Sequence, residues 1–459
     1  MDPQRLAADF LKKHGRDEQG RTTLRFYRGE FWRYEDGRYR PVSPTEFTAI
    51  LFKTLTAHIA SVPLKNTDGQ LLQLRIGTVN NVRSALMGEV YVPDAVEQPA
   101  WLTGTSEHTN RVAMQNGILD LDAASAKESY ALRPLTPEWF SAVVIPYDYD
   151  PKAGCPRWKA FVNEIYEGDE ERIALLQEFC GYLLTPDTSL HKFIVLEGEG
   201  ANGKSVVLEV IEGLVGSANT SHVPVEVFGD RFQLTPTINK LVNIAPEVNE
   251  NAKLNEGVLK QFTAGDPIYI DRKGIPGIDV KPTARLMMAT NHRPPMSDRS
   301  DGIWRRMLYL PHNVTIPLAQ QNPRLAAELK QELPGILNWA LEGRARLKAN
   351  GRFTEPRLSR EALAEYRSES NPARTFLAEQ CEADASSRVP AETLYQCYKT
   401  WAISQGHSVL NGPSFGKEVR KAFPAVRKPR VSIGGARVWC YEGIAIAIQS
   451  SVEELEVAA

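Results

Sequence analysis

The sequence predicts an α/β core, preceded by an N-terminal α+β domain and a helical collar and followed by a small basic domain of helices and a strand pair. Three observations predict it. Short apolar segments at Phe193 to Leu196, Leu241 to Ala245, Leu286 to Ala289 and Met307 to Leu310 read as buried strands, and helix-length stretches alternate with them. The first strand runs into a glycine-rich octapeptide that opens a helix. Downstream, cations gather in one compact segment, although the whole chain carries a formal net charge of only −2.

Taken in order, residues 1–145 mix strand-like pieces such as Leu24-Arg25-Phe26-Tyr27-Arg28 with an apolar-periodic helix from Phe47 to Ile59. Residues 146–186 form the expected collar, because Trp158, Phe161, Ile165, Ile173, Leu176, Phe179 and Leu183 recur at helical spacing. Pro186-Asp187-Thr188 breaks that pattern. The core spans 187–350 and closes on a helical stretch with Leu325, Leu329, Leu333, Ile336, Leu337, Trp339 and Leu341 on its apolar face. The polar segment 351–372 reads as a linker, 373–448 as the last domain, and 449–459 as a flexible acidic tail.

The totals narrow the class. The 459 residues allow about three domains at roughly 150 residues each. A hydrophobic content of 42% and a charged content of 24% are ordinary for a globular chain, and no apolar run approaches the roughly 20 residues that span a bilayer. No membrane association is expected. Met1-Asp2-Pro3-Gln4-Arg5 lacks the features of a secretory signal, so a cytoplasmic location is expected. Five scattered cysteines form no Cys-x-x-Cys pair, which argues against zinc or a disulfide framework.

Gly198-Glu199-Gly200-Ala201-Asn202-Gly203-Lys204-Ser205 matches G-x-x-x-x-G-K-[S/T], the phosphate-binding P-loop pattern, with a strand before it and a helix after it. Glycines let successive backbone N–H groups and the helix N-terminus point at negative charge. Lys204 is then placed to neutralise the β and γ phosphates of ATP, and Ser205 to ligate Mg²⁺.

Three further segments supply candidate catalytic groups. Leu241-Val242-Asn243-Ile244-Ala245-Pro246-Glu247 is an apolar strand ending in an acid, where a phosphate-site fold puts the carboxylate that holds Mg²⁺ or polarises the attacking water. A lone exposed glutamate after a strand would look the same, and the loop upstream favours the functional reading. Leu286-Met287-Met288-Ala289-Thr290-Asn291 ends in an amide able to reach the γ-phosphate or its water; Asn291 could equally start the turn Asn291-His292-Arg293-Pro294-Pro295. Arg305 and Arg306 precede the strand at Met307, and an arginine supplied across a subunit boundary stabilises charge on a transferring phosphoryl group.

In this order the elements resemble the superfamily 3 helicases, in the branch of the poxvirus-type and the phage or plasmid primase-helicases. Gln115-Asn116-Gly117-Ile118-Leu119-Asp120-Leu121, Leu259 to Asp266, Ala289-Thr290-Asn291-His292, Trp304-Arg305-Arg306 and Glu332-Leu333-Pro334-Gly335-Ile336 carry the resemblance with the P-loop. It implies an AAA+-like ATPase core, a homo-oligomeric ring, expected to be a hexamer, and 3′ to 5′ movement on single-stranded DNA. It also implies a phage, plasmid or integrated element in a bacterial or similar host. Two departures stand out: Glu247 is alone where many members carry two adjacent acids, and residues 1–145 are too short for a fused primase. A separate primase or initiator is the implied partner. The paired acids Asp120-Leu121-Asp122 fall inside the resembling segment and read as structural.

Residues 268–281 look like two strands around a Gly/Pro-rich turn and resemble the hairpin that these helicases project into the ring channel. Arg272, Lys273 and Lys281 would then track DNA phosphates; a solvated turn with incidental cations is the bland alternative. In the last domain, Lys417, Arg420 and Lys421 share a helical face, and Arg427, Lys428, Arg430 and Arg437 surround a strand pair at Gly434-Gly435. This reads as a winged helix for duplex or forked DNA, although winged helices also dock proteins. An ATP-dependent replicative helicase is the leading expectation. A non-unwinding origin recogniser or loader is the alternative, and a small-molecule kinase would explain neither the basic domain nor Trp304-Arg305-Arg306.

Overall fold

The computed structural model of the chain describes residues 2–61, 74–104, 110–122, 130–248, 254–296 and 301–447. The chain divides into two compact units, Met1–Pro294 with Arg305–Ser359, and Pro295–Trp304 with Arg360–Ala459. The expected acidic tail, 449–459, lies outside the described residues.

In the first unit the N-terminal residues form the expected α+β arrangement. A three-stranded antiparallel sheet (Leu24–Tyr27, Glu30–Glu35, Arg38–Val42) is accompanied by helices Pro3–His14, Pro44–Ser61 and Ile76–Glu89. Phe31, Phe47, Leu51, Val79 and Leu86 form a core of their own here. Farther on, Asp120 pairs with Arg111 at 2.8 Å, while Asp122 takes a 2.8 Å bond from Lys348 and a 2.7 Å bond from Asn110. Both acids are held by this internal network, in keeping with a structural role.

The collar consists of α1 (Pro156–Ile165) and α2 (Glu170–Tyr182). Pro156 starts α1, where a missing N–H costs nothing, and the Asp169 carboxylate accepts from two backbone N–H groups at the start of α2. The Glu332 carboxylate also accepts from the N–H groups of Arg157 and Trp158, at 3.2 and 3.0 Å. It thus completes the first turn of α1 from a distant part of the chain.

Strands β1 (Phe193–Glu197), β2 (Thr220–Ser221), β3 (Val242–Ala245), β4 (Arg285–Thr290) and β5 (Met307–Pro311) make one parallel sheet in the order β2-β3-β4-β1-β5. Every residue of β3, β4 and β5 is buried. Parallel strands are covered on both faces, so their sequences run continuously apolar instead of alternating, which is why they were legible. Helix α3 (Lys204–Val215) follows β1 and buries Val207, Val210, Ile211 and Leu214. The expected helical stretch is made of a short helix Leu325–Leu329, a single tight turn and α4 (Leu333–Asn350). Pro334 sits in the first turn of α4, where it begins a helix without a clash. Collar, sheet, α3 and α4 share one apolar core.

The segment read as a linker carries a helix, and the two units divide within it at Ser359/Arg360. Residues 357–369 form a helix, α5 (Arg357–Glu369), whose Tyr366 is buried and meets the Trp304 ring edge-on at 5.1 Å. One narrow apolar stripe suffices to dock a helix whose other residues stay polar, so composition alone was misleading. The second unit continues through helices Pro372–Gln380 and Ala391–Ser404 to α6 (Gly412–Ala422) and a hairpin of β6 (Arg430–Ile433) and β7 (Ala436–Glu442). Phe376, Leu394, Tyr398, Phe415 and Val419 form its core.

Candidate active site and cationic surfaces

The loop from Gly198 to Gly203 joins the carboxyl end of β1 to α3. Gly198 has φ 157° and a side chain there would run into the His312 carbonyl; Gly203 has φ 84° and a Cβ would press on Ile165 at 2.9 Å. Both positions require glycine because backbone and collar approach so closely. The loop is thereby clamped between α1 and the end of β5.

Lys204 is the first residue of α3 and is almost wholly buried. Its ammonium group donates to the Gly198 carbonyl and, at 3.0 Å, to the Asn202 side-chain oxygen. Burial lowers its pKa from the ordinary lysine value, and the nearby Glu197 carboxylate opposes that shift. The ammonium thus lies within the loop whose backbone would receive phosphates.

A cleft of 680 Å³ opens beside the loop, bordered by Lys204, Ser205, Glu247 and Asn291. These four groups come from three neighbouring strand ends. Leu196 of β1 pairs with Ala289 of β4, and Ala245 of β3 pairs with Met288, so the residues that follow β1, β3 and β4 emerge at one edge of the sheet. Ligand sites in open α/β sheets collect at this carboxyl edge. Phe161 and Glu164 of α1 form one wall, and Ile316 and Leu325 contribute to another.

Arg305 and Arg306 do not join this cleft. They precede β5, whose first residue, Met307, pairs with Phe193 at the start of β1. That is the amino edge of the sheet, roughly 16 Å from the carboxyl edge for five residues of strand. The Arg306 pKa is lowered by desolvation first and by the adjacent Arg305 second, while Asp266 works against both.

Several site groups escaped the sequence reading. His312 follows β5 and is buried; its Nδ1 lies 3.2 Å from the Asn202 carbonyl oxygen and its Nε2 3.0 Å from the Tyr166 hydroxyl. Burial depresses its pKa to about 3. Arg172, also buried, donates to the carbonyls of Tyr166 and Pro311 at 2.8 and 3.2 Å. Arg293 bonds the Glu197 carboxylate at 2.9 Å. A single histidine, with no periodic or spaced partner, leaves no sequence signal.

The expected hairpin is present as Ile268–Arg272 and Ile275–Val280, with a register shift between Ile270 and Arg272. Lys273 is exposed at its turn. Arg272, expected beside it as a DNA contact, is instead turned inward: it pairs with Glu30 at 2.7 Å and donates to the Arg28 carbonyl at 3.0 Å. A planar guanidinium can satisfy a carboxylate and carbonyls together, and half-buried Glu30 has need of such a partner. Burial raises the Glu30 pKa despite that pairing. Lys281 pairs with Glu97 at 2.9 Å on an exposed surface.

In the second unit, Lys417, Arg420 and Lys421 lie on the exposed face of α6, and Arg427, Lys428, Arg430 and Arg437 are likewise exposed. Lys421 also pairs with the buried Glu418 at 3.0 Å. Among the described residues, no helix is long and apolar enough to cross a membrane, and no group of three or more His, Cys, Asp and Glu side chains could hold a metal ion by itself. All five cysteines are free.

Three known families match parts of the chain: "D5 N terminal like" over residues 92–167, "Family of unknown function (DUF5906)" over 196–306, and "RFX DNA-binding domain" over 370–448. Two viral proteins whose names carry the word helicase are similar to it. The one from Invertebrate iridescent virus 6 is 24% identical over 362 residues, covering 68% of this chain and 36% of that protein. The one from Acanthamoeba polyphaga mimivirus is 24% identical over 231 residues, covering 48% and 23%. The chain therefore spans about a third or less of each relative. Among solved structures, the apo NrS-1 C-terminal region is similar in fold, with a TM-score of 0.51 at 11% identity over 96% of this chain and 99% of that one.

Proposed function

We propose that this chain, a D5-like protein of the superfamily 3 helicase type, is an ATP-dependent DNA helicase whose hydrolytic sites are completed between subunits. One observation carries the reading. Lys204, Ser205, Glu247 and Asn291 border a single cleft at the carboxyl edge of the parallel sheet, whereas Arg305 and Arg306 stand at the opposite edge.

In this reading the sheet is an AAA+-like core and Gly198–Ser205 is its P-loop. Lys204 leaves the Gly198 and Asn202 oxygens to neutralise the β and γ phosphates of ATP. Ser205 and Glu247 would supply hard oxygen donors to hold Mg²⁺, and a bound ion would spread the charge of the transferring phosphoryl group. Glu247 also orients the attacking water, and Asn291 reports whether the γ-phosphate is present. Arg305 or Arg306 reaches the cleft of a neighbouring copy, which favours a closed ring, a hexamer by family resemblance. Lys273 contacts single-stranded DNA, moving 3′ to 5′, while the second unit, as a winged helix, holds forked DNA. The host is a phage, plasmid or integrated element.

A non-unwinding recogniser or loader is favoured by one observation, the tie of Arg272 to Glu30, which draws one hairpin cation away from any DNA track. A forked-duplex unwinding assay with ATP, beside native mass measurement with and without nucleotide, separates the two. Unwinding by an oligomer, lost in Lys204→Ala, is the expected result. A monomer that hydrolyses ATP at full rate without DNA would overturn the proposal.

A further inference from the structure

The hairpin of β6 and β7 carries an aromatic side chain that the cation pattern did not bring to notice. Trp439 is 52% exposed. It pairs directly across the hairpin with Arg430, and Arg437, two residues before it on β7, pairs with Ser432. Cross-strand partners and residues two apart share a face, so Arg430, Arg437 and Trp439 stand together on one side of the hairpin. Val431 and Val438, which pair on the other side, are half-buried.

The same side of β7 leads toward α6. Tyr441, two residues beyond Trp439, is buried with its hydroxyl only 2.9 Å from where a Cβ would stand on Gly416 of α6. From Arg427 to Tyr441 the sequence contains no acid. The face thus combines an exposed indole with flanking guanidinium groups, in a segment that carries no acid.

We infer that Trp439 stacks on an unpaired DNA base where duplex opens into single strands, with Arg430 and Arg437 on the adjoining phosphates. An indole offers a flat π surface, and a base accepts it only where no neighbour already covers its face. The interior of a duplex has no such base; a fork does. The cations beside the indole match the phosphates on either side of that base, and they disfavour a basic or neutral peptide.

This inference rests on the second unit binding DNA. The test uses the full chain and two probes of one sequence: a fork with 2-aminopurine at its first unpaired position, and the same segment as blunt duplex. The wild type should quench the 2-aminopurine on binding the fork. Trp439→Ala should abolish the quench and weaken fork binding roughly tenfold, within the range for loss of one aromatic stacking contact, while blunt-duplex binding changes by less than about twofold. Trp439→Phe should restore most of both signals, and a thermal melt of each variant checks folding. Equal loss on fork and duplex, or none on either, overturns the stacking role without overturning the reading that the second unit binds DNA. Failure of the wild type to bind either probe overturns the DNA-binding reading along with it.

Discussion

The Nδ1 atom of His312 lies 3.2 Å from the carbonyl oxygen of Asn202. A carbonyl can only accept, so Nδ1 carries the proton and the bare Nε2 accepts from the Tyr166 hydroxyl. The imidazole thereby ties the Gly198–Gly203 loop to the collar. His312→Phe removes both bonds and should raise the KM for ATP about tenfold, with a stability loss of about 1–3 kcal/mol, measured by steady-state kinetics and denaturant titration.

The same histidine bears on acid stability. Its folded pKa of about 3 lies below the ordinary value near 6.5, so between those limits the unfolded chain binds a proton that the folded chain excludes. Its neutral form costs nothing above pH 6.5, and stability should fall as pH drops through the window, by up to about 1.4 kcal/mol per pH unit. His312→Gln should flatten that slope in melts from pH 6.5 to 4. An unchanged slope would mean the imidazole is not excluded from protonation.

Lys204→Ala should reduce phosphate release from ATP to background, because among the described residues no other cation borders the cleft. Its effect on the melting temperature should be small. The ammonium's own bonds are to one carbonyl and one amide beside the cleft, from which water can enter the space that the shortened side chain leaves.

Arg306→Ala and Glu247→Gln subunits, each inactive alone, should recover part of the ATPase when mixed. Opposite sheet edges put the two groups in different sites, so some mixed interfaces carry both. Recovery that rises and falls with the mixing ratio is the expected signature; no recovery at any ratio would assign the arginine a role within its own subunit.

Glu30→Ala should cost about 1–3 kcal/mol by leaving the half-buried Arg272 guanidinium with carbonyl acceptors alone. Lys273→Glu, at the exposed turn of the same hairpin, should leave thermal stability unchanged and diminish unwinding. A destabilised Lys273→Glu would mean that the turn is structural.

Four of the five sheet strands were legible because each is buried on both faces and reads as a continuous apolar run. The loop Gly198–Ser205 was legible because its glycines, lysine and hydroxyl stand at the fixed spacing of the P-loop pattern. Arg272 was misjudged, since its partner Glu30 stands 242 residues away and no local pattern records the pair. The helix Arg357–Glu369 was missed because its docking stripe is narrow beside its polar majority.

The sequence by itself determined the alternation of strands and helices, the glycine-rich loop between strand and helix, and the cationic character of the last domain, all consequences of short-range spacing and residue chemistry. Only the tertiary structure decided that Glu247 and Asn291 join Lys204 in one cleft, that Arg305 and Arg306 face away from it, and that His312 braces the loop. Strand order and long-range packing bring those groups together or hold them apart, and neither leaves a mark in local sequence.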